Sequence, residues 1–270
     1  MITHVNNNTF APESEIVVQE LIERLIDSAP SLCLLPKLEN IVNKQDPTLE
    51  EILELCSHND TLLSRLTRRS GFQGNEDEFA KTVLFTKGLG FLKSLAIRTM
   101  NQEIFDISID GSGENSKSLK RRSIILARFT KSFCEDLDME GDLAYLSGLF
   151  YQLHHISAEL LKYSNRNGIS SENNPDLYTV ITGDALESLG FHELIHSIVR
   201  ESQKELYSTS YPFFHALIRI GNRILLNSES SHFRASRGFK PNRELLDATG
   251  LKERKIVNTL KEISRNYKGA

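Results

Sequence analysis

The sequence predicts an all-α protein built as two helical lobes. Three observations carry this. Apolar residues recur with helical period over nearly the whole chain. No alternating run of apolar and polar residues is long enough to mark a sheet. The polar stretch 106–117, DISIDGSGENSK, parts the helical segments into two groups. At 270 residues the chain suffices for one large domain or two small ones. The expected order is an N-terminal arm (1–15), an N-terminal helical lobe (16–105), the connecting loop (106–117) and a C-terminal helical lobe with a C-terminal helix (118–270).

The elements follow in order. Val17/Val18, Leu21/Ile22 and Leu25/Ile26 repeat every four residues and stop at Pro30. Leu49, Ile52, Leu53 and Cys56 fit i, i+3, i+4, i+7 behind Pro47-Thr48. Thr48-x-x-Glu51 has the form of a capping box, in which hydroxyl and carboxylate satisfy the orphan N–H groups of the first turn. Asn59 or Asp60 can cap a helix carrying Leu62, Leu63 and Leu66. Further helices are expected at 79–86, 89–104, 118–136, 142–163, 176–189, 191–205, 212–227 and 242–266, with a second polar loop at 164–176. No period of 20–50 residues repeats, which excludes a solenoid.

Composition narrows the class. Thirty-two Lys and Arg against 36 Asp and Glu give a net charge of −4, which argues against a nucleic-acid coat. Arg234, Arg237, Lys240, Arg243, Lys252, Arg254, Lys255, Lys261, Arg265 and Lys268 outnumber the acids near the C-terminus. Lys117, Lys120, Arg121 and Arg122 form a second cluster. Neither is interleaved with the aromatics a single-strand platform needs, so both read as solvated helix faces. Cys33, Cys56 and Cys134 are odd in number and widely spaced, as in a reducing compartment. Residues 1–15 lack the basic start and apolar run of a signal peptide, and no apolar run approaches the ~20 residues of a membrane span. The expectation is a cytoplasmic protein without membrane insertion.

Three motifs suggest metal chemistry. His192-Glu193-Leu194-Ile195-His196 matches H-E-x-x-H, whose imidazoles share a helix face and can hold zinc. Val199 and Ser202 stand where the extended motif has Gly and a third His, and the segment follows Gly190-Phe191 directly. It reads as a partly exposed helix start. Asp106-x-Ser108-x-Asp110-Gly111 opens like a calcium loop, but Lys117 occupies the position of the bidentate Glu, so it reads as a polar turn. His154 and His155 are adjacent. On a helix they diverge by about 100°, one toward the core and one toward the surface, and chelate one metal poorly.

An ordered series of short motifs resembles the HDOD domain, the HD-related output domain of bacterial signalling proteins. It runs through Leu35-Pro36-Lys37-Leu38, the Asp46–Ile52 helix start, Asn59-Asp60-x-Leu62-x-x-Arg65-Leu66, Ser70-Gly71-Phe72 and Gly88–Leu95. It continues through Leu146-Ser147-Gly148-Leu149-Phe150 to Leu189-Gly190-Phe191, and spans about 17–230. The resemblance implies an HD phosphohydrolase scaffold. Enzymes of that class bind metal through a His, a His-Asp pair and a late Asp, and the ion activates a water. Here Tyr151 and Gln152 fall at the His-Asp pair, Arg122 near the earlier His, and Asn222 near the late Asp. A one-residue shift would bring His154 or His155 toward that place.

The resemblance therefore implies a degenerate HD site with no catalytic residue, metal or cofactor. It implies a non-enzymatic bacterial signalling module that acts by protein–protein contact, near cyclic-dinucleotide, chemotaxis or motility circuits. The alternative is a metal-dependent phosphohydrolase acting on a nucleotide or cyclic dinucleotide. The cleft would be lined by Arg122, Tyr151, Gln152 and Asn222, with His154 and His155 nearby. Arg122 would either plug it or grip an anionic ligand or a partner's acidic side chain.

Overall fold

The computed structural model describes residues 12–42, 76–107, 116–137, 139–162, 175–229 and 242–267, with isolated residues between 43 and 75. Among the described residues there is no strand, and the fold is all-α. Helices α1 (Pro12–Ser28) and α2 (Ser31–Val42) open the chain. Val17, Leu21 and Leu25 line the buried face of α1, as their spacing predicts. The Ser31 amide donates to Glu103 Oε2 at 2.9 Å, so a distant carboxylate caps α2. Pro36 lies inside α2. The Thr48–Glu51 capping box forms: Glu51 N donates to Thr48 Oγ1 at 3.3 Å and Thr48 N to Glu51 Oε2 at 3.1 Å. The apolar positions Leu49, Ile52, Leu53 and Cys56 behind it, and the expected cap Asn59 or Asp60 with Leu62, Leu63 and Leu66 of the next helix, lie outside the described residues.

Helix α3 (Glu76–Asp106) covers both expected segments, 79–86 and 89–104, and breaks between them at Gly88. Then come α4 (Ser116–Glu135), α5 (Gly141–Phe150), α6 (Leu153–Lys162), α7 (Pro175–Ser188) and α8 (Glu193–Arg200). A 3-10 turn (Leu206–Ser208), α9 (Pro212–Glu229), α10 (Arg243–Thr249) and α11 (Glu253–Asn266) complete the chain. Three expectations of single long helices need correction. The 142–163 segment is broken at Tyr151-Gln152 into α5 and α6. The 242–266 segment is broken at Gly250, whose left-handed backbone (φ 63°) lets its N–H bond back to Leu246 and Asp247. The 191–205 segment stops at Arg200, because Arg219 takes the carbonyls that follow.

Two apolar clusters fill the interior, and both use α4. Ile124 and Ala127 face a cluster that joins Leu21, Leu25, Leu35, Met100 and Ile104 to Leu149, Phe150, Ile181 and Ile195. Ile125, Leu126, Phe129 and Phe133 face a second cluster with Ala144, Ile198, Leu217, Ile220, Ile256 and Leu260. The N-terminal helices thus share a core with α5–α8, and α1 packs on α6 and α7. Helix α4 is the axis: α5, α9 and α11 pack against it. Among the described residues no helix is long and apolar enough to cross a membrane.

Candidate functional site

Arg122 and Ser123 come from α4, Tyr151 and Gln152 from the break between α5 and α6, and Asn222 from α9. Two glycines bring these elements within reach. A Cβ on Gly148 of α5 would lie 2.8 Å from Thr130 Oγ1 and 2.9 Å from the Ala127 Cα and the Leu126 carbonyl. A Cβ on Gly221 of α9 would lie 2.8 Å from Leu126 and 3.1 Å from Phe129. Gly148 thus brings α5 against the α4 backbone itself, and Gly221 brings α9 against the Leu126 and Phe129 side chains of α4.

The closeness creates one hydrogen-bond chain. Arg122 is 3 % exposed. Its Nε donates to Gln152 Oε1 at 3.4 Å, and Ser123 Oγ donates to the same oxygen at 3.4 Å. Gln152 Nε2 then donates to Asn222 Oδ1 at 2.6 Å. The amide's oxygen meets two donors and its nitrogen an acceptor, so the three elements are tied through one side chain. The structure thus brings together Arg122, Gln152 and Asn222, three positions that the sequence assigned to one site.

Tyr151 points elsewhere. It packs in the second apolar cluster, and burial raises its phenol pKa while the nearby Arg219 charge opposes that rise. Arg219 donates to the carbonyls of Glu201 (3.3 Å), Ser202 (3.1 Å) and Lys204 (2.6 Å), closing off the end of α8. His154 is buried and His155 half-buried, but their rings do not diverge as expected. They stack with centroids 4.2 Å apart. His154 Nδ1 lies 3.2 Å from the Tyr151 carbonyl, which can only accept, so the ring proton sits on Nδ1. Burial, with the neighbouring His155, pushes the His154 pKa down to about 3.

The other motifs resolve as local structure. His192 caps α8, its Nδ1 accepting from Leu194 N at 3.1 Å, while His196 is buried. The motif therefore stands in the first turn, as its context implied. Asp106 ends α3 and lies 3.9 Å from Lys120, while Ser108, Asp110 and Gly111 fall outside the described residues. In the basic regions Lys255 pairs with Asp136 at 2.9 Å and Arg243 reaches Asp247 at 3.9 Å; Arg234, Arg237, Lys240 and Lys268 are outside the described residues.

A hard divalent cation does not fit the donor set at Arg122, Gln152 and Asn222. A guanidinium carries a fixed charge and no lone pair to give, and both amide oxygens already accept hydrogen bonds. Among the described residues no three His, Cys, Asp or Glu side chains group so as to hold a metal. Ser123, Gly148, Gly221 and Arg219 are the participants that sequence reasoning did not assign a role. The signal for all four was proximity: each lies next to, or within a helical turn of, a site position.

No family model matches the sequence, and no curated protein matches it. A solved structure does. The crystal structure of a protein named "putative phosphohydrolase" from Shewanella amazonensis SB2B superposes with a TM-score of 0.54 at 13 % identity, covering 92 % of this chain and 94 % of that one. At that identity the likeness is one of fold. The described residues form an all-α fold like that of this structure.

Proposed function

We propose that this chain is a regulatory domain of the HDOD type, acting by protein–protein contact on an HD scaffold that no longer hydrolyses phosphate esters. The observation that carries the reading is the buried Arg122–Gln152–Asn222 chain. It ties together the side chains at three positions that the resemblance assigns to metal ligands, one of which, Arg122, is a permanent cation. Activating a water for attack on phosphorus requires a Lewis acid or a general base. Arg122 supplies neither, and Gln152 and Asn222 do not titrate. Of the two roles open to Arg122, burial favours the plug over the receptor.

The test is elemental analysis together with hydrolysis assays. The purified protein is loaded with Mn²⁺ and supplied with a cyclic dinucleotide and with bis(p-nitrophenyl) phosphate. The expected result is no stoichiometric metal and no hydrolysis above buffer. Bound metal together with chelator-sensitive hydrolysis would establish the phosphohydrolase reading instead.

A further inference from the structure

We propose that the groove between α4 and α11 binds a small zwitterion of amino-acid size, with its carboxylate on Arg128 and its ammonium on Glu262. This cavity of about 250 Å³ is lined by Arg128 and Ser132 from α4, and by Thr259, Glu262, Ile263 and Asn266 from α11. The spacing makes two rails. Residues 128 and 132 are one turn apart, and 259, 262, 263 and 266 follow one face of α11. One wall carries a guanidinium and the other a carboxylate. Two hydroxyls and an amide complete the polar lining, and Ile263 gives one apolar contact. Arg128 lies six residues beyond Arg122, about 9 Å along the helix, so the groove is separate from the site described above.

Arg128 is held without being neutralised. Its guanidinium sits over the Tyr267 ring, 5.9 Å from the centroid, and its charge reaches the Tyr145 hydroxyl. The ion pairs of these two helices use other residues: Lys131 pairs with Asp142 and Glu135, and Lys255 with Asp136. The two groove charges exclude most ligand classes. Glu262 repels phosphates and nucleotides, and Arg128 repels polyamines. A molecule with both charges satisfies both walls. The volume lies below the ~300–1,000 Å³ of drug-sized sites, which limits the ligand to a single amino acid or a very short peptide.

The experiment is a thermal-shift titration of the full chain. The probes are the standard amino acids and glycylglycine at millimolar concentration, with inorganic phosphate, AMP, and deaminated and decarboxylated analogues as controls. At least one zwitterion should raise the melting temperature in a concentration-dependent way, and its two analogues should not. Affinity should fall at least tenfold in Arg128→Gln and in Glu262→Gln, and in the latter a simple carboxylate should bind as well as the zwitterion. Both side chains are exposed, so neither change disturbs the core. The analogue series on the unaltered chain decides the matter even if a variant folds poorly. The proposal is overturned if no zwitterion shifts the melting temperature, if the shift survives either variant, or if phosphate or AMP binds better.

Discussion

Gln152 donates to Asn222 across 2.6 Å, joining the break between α5 and α6 to α9, and the same amide receives Arg122 from α4. One neutral side chain thus holds three helical elements at a single buried point. Arg122→Ala removes a donor to the Gln152 oxygen and empties the volume of a long side chain. The Gln152 oxygen keeps Ser123 as a donor, so the loss is one hydrogen bond from a charged group plus the packing of the long side chain, about 1–3 kcal/mol together. Urea denaturation should show a lower midpoint at unchanged slope. A midpoint equal to that of the parent would mean that Arg122 is not a structural plug.

The packing beneath this chain predicts a second effect. Gly148→Ala would place a methyl 2.9 Å from the α4 backbone, at the Ala127 Cα and the Leu126 carbonyl, where nothing flexible can give way. Overpacking of this kind costs about 1–3 kcal/mol, and α5 must move off α4 to relieve it. Gln152 follows α5 directly, so the variant should also loosen the Gln152–Asn222 link. Slowed exchange of the Gln152 side-chain amide, measured by NMR, should be lost with it. An unchanged melting temperature and unchanged exchange would show that α4 and α5 are not in close contact there.

His215 predicts the acid side of the stability profile. Its ring is fully buried in α9, and neither nitrogen has a hydrogen-bond partner among the described residues. Burial, then the Arg219 charge, pushes its pKa down from 6.5 to about 4, although Glu201 lies 3.8 Å away and favours the charged form. The folded state therefore resists a proton that the unfolded chain accepts. The neutral ring's contribution is intact above pH 6.5 and is lost as pH falls toward 4, on the order of 3 kcal/mol in all. His215→Phe should flatten the fall in melting temperature between pH 7 and 5 while leaving pH 7 stability nearly unchanged. His154, pushed to about 3, keeps some slope in the variant. Identical slopes in parent and variant would exclude His215 as a source.

Helical period was enough to find α1, α4, α7 and α9, because each buries one continuous stripe that includes Leu21, Leu126, Ile181 and Leu217. It could not find the break at Tyr151-Gln152. Leu149, Phe150, Leu153 and Ile156 are buried on both sides of it, and neither residue at the break is a helix breaker by type. The gathering of Arg122, Gln152 and Asn222 was legible only through the family resemblance, since no spacing rule links residues 30 and 70 positions apart. The α4–α11 groove was not legible at all. It depends on how α11 lies on α4, and Arg128 and Glu262 look in sequence like any exposed charges.

Gly88 and Gly90 offer a paired measurement on α3. Gly88 has φ 74° and ψ 174°, a backbone region essentially reserved for glycine, and it breaks the helix. Gly90 lies two residues on, is exposed and is helical. A Cβ at either position would meet nothing within 4 Å, so sterics with the rest of the fold drop out of the comparison. What remains is conformation. Gly90→Ala should stabilise by about 0.5–1 kcal/mol, because alanine has less freedom to lose on entering the helix. Gly88→Ala should destabilise by about 1–3 kcal/mol, because it forces either a strained residue or a straightened helix. Straightening would swing the 76–87 segment relative to Leu92, Leu95 and Met100, which anchor the second half of α3 in the core. Opposite signs at two positions so close in sequence would establish that the break is set by the backbone of Gly88. Equal signs would show that it is not.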